Sequence, residues 1–540
     1  MKILITIIFC LIIPLSFLAK TIIKGKKQNK DIIKDYKWEI ILTIVLIIGS
    51  LVRIVAIDKF PNALNVDEAS SGYDAFSLFK YGKDRGGNSY PVYLYAWGSG
   101  QSVLYSYIMI PFIMLGGLSI YTMRLPMALI GIAALYIFYY LLKNIFDNKK
   151  LATIGTTFLA ICPWHIMKSR WGMECNIFPE LVMLAVLLLV LGLKNKKTWL
   201  QILSFVILGL SSYSYGTSYL FLPVFVLILL AYLIKKKEIS IKKSVLMLAI
   251  IFVICIPMIL YVLINTFNLN QITIGKITIP RLLVNRYDSV SSVFSGNILG
   301  SCAKNIVTLA KILLLQSDGL EWNAIPQFGA FYLISNVFFI IGLFTCLDKY
   351  KSNKYNQIIN IWMIASGILA VFCDGNINRL NIIMIPVAYY ISVGIYEVIT
   401  RFPKIAVYIG IMYIILFVAF MNSYLNKDYN KYFTFTSGME EVVDYCNNLN
   451  AETIYCEYSF KEPFIYFLFY GQEDVNTYLQ TVEYYRPNGT FENIKAFGKY
   501  KFYLPENIEE NTVIIVKKDT SIDKQYKNKV SINQFDVYQF

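Results

Sequence analysis

The sequence contains a single histidine, His165, which excludes a metal site built from several histidines. Its nine cysteines include no CxxC pair and show no metal-ligand spacing. There is also no P-loop, no Rossmann glycine motif, no internal repeat and no low-complexity segment. These absences leave few classes of metal, redox or nucleotide-binding protein open.

Charged residues make up only 16% of the chain, whereas 56% are hydrophobic and the mean hydropathy is +0.53. Soluble domains are rarely so apolar, and repeated long apolar runs indicate transmembrane helices. The net charge of +15 does not indicate nucleic-acid binding, because the lysines cluster in short loops between apolar runs.

The apolar runs predict an α-helical polytopic membrane protein, because a helix needs about 17 to 25 residues to cross the hydrocarbon core. The first run is expected to remain as a span, because no small-residue cleavage site follows it and a basic block from Lys20 to Lys37 does. A cleaved signal peptide is the alternative. About twelve spans are predicted, at 3–19, 38–57, 121–142, 151–167, 176–193, 199–216, 217–234, 244–264, 329–347, 357–373, 380–399 and 404–423.

Basic segments then assign sides, because cytoplasmic loops carry an excess of lysine and arginine. The loops 58–120 and 265–328 are predicted to face outward, as is the tail. The run Val103–Leu118 does not fit this scheme, because a crossing there would invert every later loop. We expect it to lie in the interface or to re-enter from outside. A plain span with a compensating error elsewhere is the alternative.

Three segments are predicted: 1–37, with the first span and a basic cytoplasmic loop; 38–425, the membrane module; and 426–540, a small extracytoplasmic α/β domain. In the tail, Thr512–Val516 is typical of a strand. Ser437 to Leu449 is typical of a capped helix, with Ser437 as N-cap and Glu440 three residues later.

An acidic pair, Asp67-Glu68, stands in the first outward loop, where ionisable groups at a membrane boundary are costly unless solvated or used. A helix over 67–80 would explain the pair structurally, because carboxylates are favoured at a helix N-terminus. The sequence from Phe60-Pro61 to Tyr73 resembles the first external loop of polyprenyl-phosphate-sugar-dependent glycosyltransferases of the protein O-mannosyltransferase and aminoarabinose transferase type.

This resemblance, strongest over 60–131, implies a GT-C fold and a glycosyl transfer at the outer membrane face. It implies Asp67 as the catalytic general base, Glu68 as a catalytic residue that binds or orients, and Tyr73 as a substrate contact. One departure is clear: many relatives carry a basic residue and two prolines where this chain has Ser99-Gly100-Gln101-Ser102.

Such a transfer needs a base for the acceptor hydroxyl and cations for the leaving phosphate. A second segment, 163–176, resembles the second external loop of the same enzymes and implies Arg170 as a donor-phosphate contact. Glu174, one helical turn later, is expected to share its face as a substrate-binding residue. The alternative is a surface ion pair, and His165 is expected to pack at the interface.

Two later loops supply further candidates. Asp318 and Glu321, in the stretch 316–323, are candidate substrate-binding residues, although an Asp-Gly turn is the alternative. Arg379, which follows Asp374, is the second candidate for the donor phosphate, with snorkelling as its alternative. Arg281 and Arg286 are weaker candidates for phosphate contact. Tyr213, Tyr215 and Tyr219 are expected to pack as an aromatic corner at the interface, with stacking on the sugar or the prenyl chain as the alternative.

The predicted function is inverting transfer of a sugar from a polyprenyl phosphate to a cell-envelope glycan, lipid or protein, with the bilayer as a further partner. No cofactor or metal site is predicted, although Asp67, Glu174 and Asp318 could supply ligands for a divalent cation. The alternatives are a polysaccharide polymerase or ligase with a lipid-pyrophosphate donor, which needs no early Asp-Glu loop, and a non-enzymatic transporter or flippase, which commonly shows inverted repeats.

Overall fold

The computed structural model describes residues 2–27, 35–284, 297–426, 437–449, 451–457, 462–485 and 494–540. Most of these residues are helical, as the sequence predicts. Contacts divide the chain into two compact units. The first comprises Met1–Ile57, Met127–Ile256 and Asp288–Tyr424, and the second Asp58–Pro126, Pro257–Tyr287 and Leu425–Phe540.

The first unit is built from apolar helices, of which two continue into residues of the second unit. Their bounds are Lys2–Lys27, Lys37–Ile54, Ile120–Phe146, Lys149–Ile161, Pro163–Ser169, Ile177–Lys194, Thr198–Leu210, Ser218–Lys235, Ile241–Thr266, Ile298–Leu314, Ser335–Leu347, Lys354–Phe372, Met384–Arg401 and Ile405–Tyr424.

Within the described residues, eight helices are long and apolar enough to cross a membrane, so the chain is a multi-pass membrane protein. The predicted runs 38–57, 151–167, 199–216 and 329–347 are helical but do not meet that standard of length and composition. The run 151–167 is not one helix, because it breaks at Cys162 and Pro163 opens the next helix. Proline cannot continue a helix but suits its first position.

The run that did not fit the predicted topology forms the helix Leu104–Gly116, which has 13 residues. At 1.5 Å per residue it is about 20 Å long, short of the roughly 30 Å hydrocarbon core. Its length therefore agrees with a helix that does not span.

The second unit combines short helices with small sheets. Its helices are Val66–Tyr81, Leu104–Gly116, Met439–Asn447, Phe464–Gly471 and Val475–Thr481. Its strands are β1 (Tyr93–Leu94), β2 (Gln101–Ser102), β3 (Ile272–Ile274), β4 (Ile277–Ile279), β5 (Thr453–Cys456), β6 (Glu483–Tyr484), β7 (Ile494–Phe497), β8 (Tyr500–Lys501), β9 (Thr512–Lys517), β10 (Asn528–Ile532) and β11 (Phe535–Gln539).

The tail contains a seven-stranded mixed sheet in the order β10-β11-β9-β5-β8-β7-β6. Strand β5 runs parallel to both β8 and β9, and the other neighbours are antiparallel. The predicted strand at Thr512–Val516 is therefore present as β9, near the middle of the sheet. Its apolar run is buried, as expected for a central strand.

The tail falls in the same compact unit as Asp58–Pro126 and Pro257–Tyr287, and the division into three segments stays a prediction. Within this unit, Tyr466 donates a hydrogen bond to the Leu64 carbonyl at 3.0 Å. The tail thus supports the loop that carries Asp67 and Glu68.

The predicted N-cap at Ser437 is wrong. The helix begins at Met439, and its N-cap is Gly438, which has φ 95° and makes no side-chain cap. The Ser437 hydroxyl instead accepts from Asn62 Nδ2 at 3.3 Å, and its carbonyl accepts from Gln534. Gly438 is needed here, because a Cβ atom would lie 2.6 Å from Asn533 Cβ and a positive φ disfavours other residues.

Candidate active site

The acidic pair lies in the first turn of the helix Val66–Tyr81, close to the predicted 67–80. Asn65 caps this helix in a capping box, in which its side chain accepts from Asp67 N at 2.8 Å and Glu68 Oε2 accepts from Asn65 N at 3.2 Å. The helix terminus that would explain the pair structurally is therefore real. This terminus explains the presence of Glu68, whose side chain completes the capping box. It explains the Asp67 side chain less well, because that side chain takes no part in the cap.

Glu68 is fully buried in a bidentate ion pair with Arg124. Arg124 Nε and Nη2 lie 2.9 Å and 2.8 Å from the two Glu68 carboxylate oxygens. The same guanidinium donates to the carbonyls of Pro61 and Ala63, both at 2.8 Å. Arg124 therefore ties the loop before the helix to its first turn, and Glu68 has a structural role in this arrangement.

Asp67 differs from its neighbour, because its side chain is only half-buried. Its Oδ1 accepts a hydrogen bond from Trp97 Nε1 at 2.9 Å. Trp97 adopts φ 55°, a left-handed conformation that costs a non-glycine residue roughly 1–3 kcal/mol. Strain of this kind persists where the surroundings impose it, and here it aims the indole N–H at Asp67.

Two buried aspartates, Asp74 and Asp84, and the buried Arg85 support Trp97 and the residues that precede it. The Arg85 guanidinium lies 4.8 Å from the Trp97 ring centroid and 3.6 Å from Asp74 Oδ2. Burial raises the pKa of Asp74, although Arg85 opposes the rise. Burial and the neighbouring Asp74 raise the pKa of Asp84 to about 7. Asp84 accepts from Tyr95 N at 2.9 Å, so the loop leading to Trp97 is held at both ends.

The stretch that departs from the family pattern packs directly on the same helix. Gln101 Nε2 donates to the Asp67 carbonyl at 3.2 Å and to Ser71 Oγ at 3.2 Å, and Ser70 donates to Gln101 Oε1 at 2.9 Å. Gln101 is buried, and its neutral carboxamide braces the helix.

Tyr73, predicted as a substrate contact, is fully buried and donates to the Glu473 carbonyl at 2.9 Å. This contact links the helix to the tail within the second unit. A substrate-binding role for Tyr73 remains a prediction, and its surroundings indicate packing.

The other predicted residues, Arg170, Glu174, Asp318, Glu321 and Arg379, belong to the first unit. Arg170 is buried, and its guanidinium donates to the carbonyls of Val52, Val55 and Ala56 at 2.8, 2.9 and 3.0 Å. These carbonyls end the helix Lys37–Ile54, where a cation is favoured. Arg170 therefore caps that helix, and its proposed phosphate contact stays a prediction.

Arg170 and Glu174 do not share a helical face, so this prediction is wrong. The helix ends at Ser169, with Arg170 as its C-cap, and Glu174 begins a separate 3₁₀ turn that ends at Asn176. Because the helix ends before Arg170, no helical turn connects Arg170 with Glu174. Glu174 is half-buried.

Three of the predicted segments converge on Lys168, a residue that the sequence pattern did not single out. The Lys168 ammonium donates to Asn323 Oδ1 at 2.8 Å and to Asn378 Oδ1, and lies 5.1 Å from the Trp171 ring centroid. Asp318 Oδ2 accepts from Asn323 Nδ2 at 2.7 Å and from Ile377 N at 2.8 Å. The loops 316–323 and 374–379 are therefore joined to segment 163–176 at one buried cation.

Arg379 and Glu321 are not fully buried, unlike Arg170. The Arg379 side chain is 23% exposed and forms an ion pair with Asp374 at 3.0 Å. Glu321 is half-buried and is separated from Asn323 by a single residue. Arg281 is exposed in the second unit, whereas Arg286 lies outside the described residues.

His165 takes part in a buried charged cluster. Its Nε2 lies 3.2 Å from Glu180 Oε1, and its Nδ1 contacts the Arg53 guanidinium. Arg53 also donates to the carbonyls of Gly49 and Ala160. His165 therefore packs between helices, in contact with Glu180 and Arg53. In the part of the chain that the structure describes, no three His, Cys, Asp or Glu residues are grouped to hold a metal ion.

The buried Lys168 predicts a pH-dependent stability. Burial lowers the pKa of Lys168 from its ordinary 10.5 to about 8, so the unfolded chain binds more protons between these values. The free energy of unfolding should therefore rise with pH from about 8 to 10.5, by at most about 3 kcal/mol from this group. Below pH 8 both states are protonated and the contribution is constant.

Thermal unfolding in detergent at pH 7.5 and pH 10 measures this difference for the wild type and Lys168→Met. The variant should lack the stabilisation that the wild type gains at the higher pH. The same pH dependence in both proteins would show that Lys168 is not the group responsible for the rise in the free energy of unfolding.

Comparisons with a protein family and with solved structures show what the chain is similar to. The family model described as dolichyl-phosphate-mannose-protein mannosyltransferase matches residues 101–261. Among solved structures, ArnT from Cupriavidus metallidurans bound to undecaprenyl phosphate superposes with a TM-score of 0.58 at 10% identity, over 93% of this chain and 98% of that chain.

The chain has the GT-C fold. The apo state of the same ArnT agrees, with a TM-score of 0.54 at 10% identity and the same coverage. The Archaeoglobus fulgidus oligosaccharyltransferase in complex with Zn and sulfate scores 0.49 at 14% identity, over 77% of this chain and 60% of that chain, which is too low to establish a shared fold. No curated protein matches the chain.

The predicted fold class is thereby confirmed, and the family match with this fold indicates a glycosyltransferase. The comparisons concern the fold and the enzyme class. They assign no role to an individual residue.

Proposed function

We propose that the chain transfers a sugar from a polyprenyl phosphate to a cell-envelope acceptor at the outer membrane face, with inversion and with Asp67 as general base. The observation that carries this proposal is the contrast within the acidic pair. Glu68 is buried and ion-paired with Arg124, whereas Asp67 is half-buried and its side chain is held by one indole N–H. Asp67 is the carboxylate that an incoming hydroxyl can reach.

In this reaction, Asp67 takes the proton of the acceptor hydroxyl while that oxygen attacks the anomeric carbon. The bond between that carbon and the phosphate oxygen breaks, and the polyprenyl phosphate leaves with the electron pair. Attack opposite the leaving group inverts the anomeric centre. The Trp97 N–H orients Asp67, because it occupies Oδ1 and leaves Oδ2 for the acceptor proton.

The leaving phosphate needs a cation or hydrogen-bond donors. Arg379 is the better candidate, because its side chain is partly exposed, whereas the Arg170 guanidinium is occupied by backbone carbonyls. A polyprenyl-phosphate donor is supported by the fold shared with ArnT, a protein crystallised with undecaprenyl phosphate. The acceptor class rests on the resemblance alone.

A donor comparison tests the proposal. Purified protein in liposomes receives the same radiolabelled hexose on a polyprenyl monophosphate or on a polyprenyl pyrophosphate, with an envelope extract as acceptor. We expect consumption of the monophosphate donor and a product of inverted anomeric configuration. Use of the pyrophosphate donor alone would favour a polymerase or ligase.

The Trp97 contact predicts a selective loss of turnover. Trp97→Phe keeps an aromatic ring but removes the N–H that binds Asp67 Oδ1. Hydrogen bonds to charged groups are worth about 1.5–3 kcal/mol, so kcat should fall by roughly ten- to a hundredfold. KM for the donor should change little. Steady-state kinetics at matched protein abundance measure the split, and an unchanged kcat would contradict the orienting role of Trp97.

A further inference from the structure

Strands β3 and β4 form a two-stranded hairpin within the second unit. Ile272 pairs with Ile279 and Ile274 pairs with Ile277, around a turn at Gly275 and Lys276. Gly275 has φ 61°, a conformation that tight hairpin turns require. Residues opposite each other in antiparallel strands share a face, so the four isoleucines line one face.

This isoleucine face is largely uncovered. Ile272, Ile274 and Ile277 are 36%, 68% and 54% exposed, and Lys276 at the tip is also exposed. Exposed apolar ladders on two-stranded hairpins are unfavourable in water. A hairpin of this composition therefore fits a surface that is itself apolar.

The base of the hairpin is fixed to its surroundings. Asn265 Nδ2 donates to the Pro280 carbonyl at 3.0 Å, and Leu282 N donates to Asn265 Oδ1 at 2.8 Å. Thr278 accepts from Val92 N at 3.0 Å and donates through its own N–H to the Ser89 carbonyl at 3.1 Å. The apolar tip thus projects from a rigid base.

The isoleucine face continues the exposed apolar surface of a helix that is long and apolar enough to cross a membrane. The hairpin starts six residues after the helix Ile241–Thr266, one of the helices able to cross the membrane. Only 22% of the most apolar stretch of that helix is buried within the protein. Exposed apolar side chains run from Leu263 at the end of that helix through Phe267 and Leu269 to Ile272. Such continuity is expected of a hairpin at the boundary where a spanning helix leaves the hydrocarbon.

A cavity of about 590 Å³ lies at the base of the hairpin, lined by residues that flank both strands. These are Asn270, Gln271, Arg281, Leu282 and Leu283. A guanidinium with two carboxamides suits a phosphate group, and the leucines suit the start of an acyl chain. We propose that this hairpin inserts its isoleucine face into the outer lipid interface while the cavity, with Arg281, binds the headgroup of an anionic phospholipid.

The site is also connected to the Asp67 region within the same unit. Val284 N donates to the Gly98 carbonyl at 3.1 Å, and a Cβ atom on Gly98 would lie 3.3 Å from Leu283. Gly98 follows Trp97, the residue that binds Asp67. Lipid engagement at the hairpin therefore holds the Trp97 loop at a set depth, although the lipid contact itself does not depend on the proposed transfer reaction.

Photocrosslinking in nanodiscs tests the proposal with the full chain. Benzoylphenylalanine replaces Ile274, or replaces Tyr526 as a control that is 44% exposed on the tail. The nanodiscs contain phosphatidylcholine and phosphatidylglycerol in equal amounts, with a trace of polyprenyl phosphate. Phospholipid adducts should form at position 274 and not at 526. Equal yields at the two positions would overturn the membrane contact.

The headgroup assignment is tested in the same nanodiscs. Arg281→Gln should lower the preference of the 274 adducts for phosphatidylglycerol over phosphatidylcholine by about fivefold, the effect of one cation near an anionic surface. Lys304→Gln, a change elsewhere on an exposed helix, should leave the preference unchanged. An unaltered preference in Arg281→Gln would overturn the headgroup site. Adducts formed mainly with polyprenyl phosphate would overturn the choice of a bulk phospholipid.

Discussion

Asp67→Asn should reduce sugar transfer by two to four orders of magnitude. Asparagine keeps the shape of the side chain and can still accept a hydrogen bond from Trp97 Nε1, but it cannot take the proton of the acceptor hydroxyl. Loss of a general base commonly costs about 10²- to 10⁴-fold. Initial rates with saturating donor, in membranes that contain equal amounts of each protein, measure the effect.

Asp444→Asn is the matched control, because Asp444 is an exposed carboxylate on a helix of the same unit. It should transfer sugar at the wild-type rate. If Asp67→Asn also retained the wild-type rate, the GT-C fold would stand and the assignment of the base would be wrong.

Arg124→Met should strongly destabilise the folded protein. The substitution leaves the buried Glu68 carboxylate without its bidentate partner and removes the donors to Pro61 and Ala63. Breaking a buried ion pair from one side commonly costs about 3–5 kcal/mol. Thermal unfolding of the purified protein in detergent, together with protease resistance of the folded protein, measures the loss.

The double variant Glu68→Gln/Arg124→Met separates the charge from the packing. Glutamine removes the buried negative charge, and it keeps the capping acceptor for Asn65 N. The double variant should therefore be more stable than Arg124→Met alone. A single variant as stable as wild type, or a double variant no better than the single, would contradict a buried ion pair at this place.

Some local features of the second unit were predictable from the sequence, although the pattern at Ser437 and Glu440 misplaced the N-cap of a later helix. Asn65 followed three residues later by Glu68 is a capping-box pattern, and it marks the start of the helix that the structure shows. The partners of the acidic pair were not predictable in the same way. Arg124 lies 56 residues from Glu68 and Trp97 lies 30 residues from Asp67, so only the folded chain brings them together.

The same distinction applies to the first unit. The three segments with candidate residues were visible, but their common point, Lys168, contacts asparagines that lie 155 and 210 residues away. Arg170 and Glu174 were paired by helical spacing, which failed because the helix that starts at Pro163 ends after seven residues. Hydropathy found the apolar helices, but it did not locate breaks such as the one before Pro163, which leave some of them short.

Transfer of radiolabel from a polyprenyl-phosphate hexose is the decisive measurement for the proposed reaction. Membranes with wild-type protein, with Asp67→Asn and with neither are incubated with the donor, and the label in the envelope acceptor is counted. We expect transfer by wild type and loss of at least two orders of magnitude in Asp67→Asn. If wild-type membranes consume no lipid-phosphate sugar from a panel of hexose and pentose donors, the proposed reaction is contradicted.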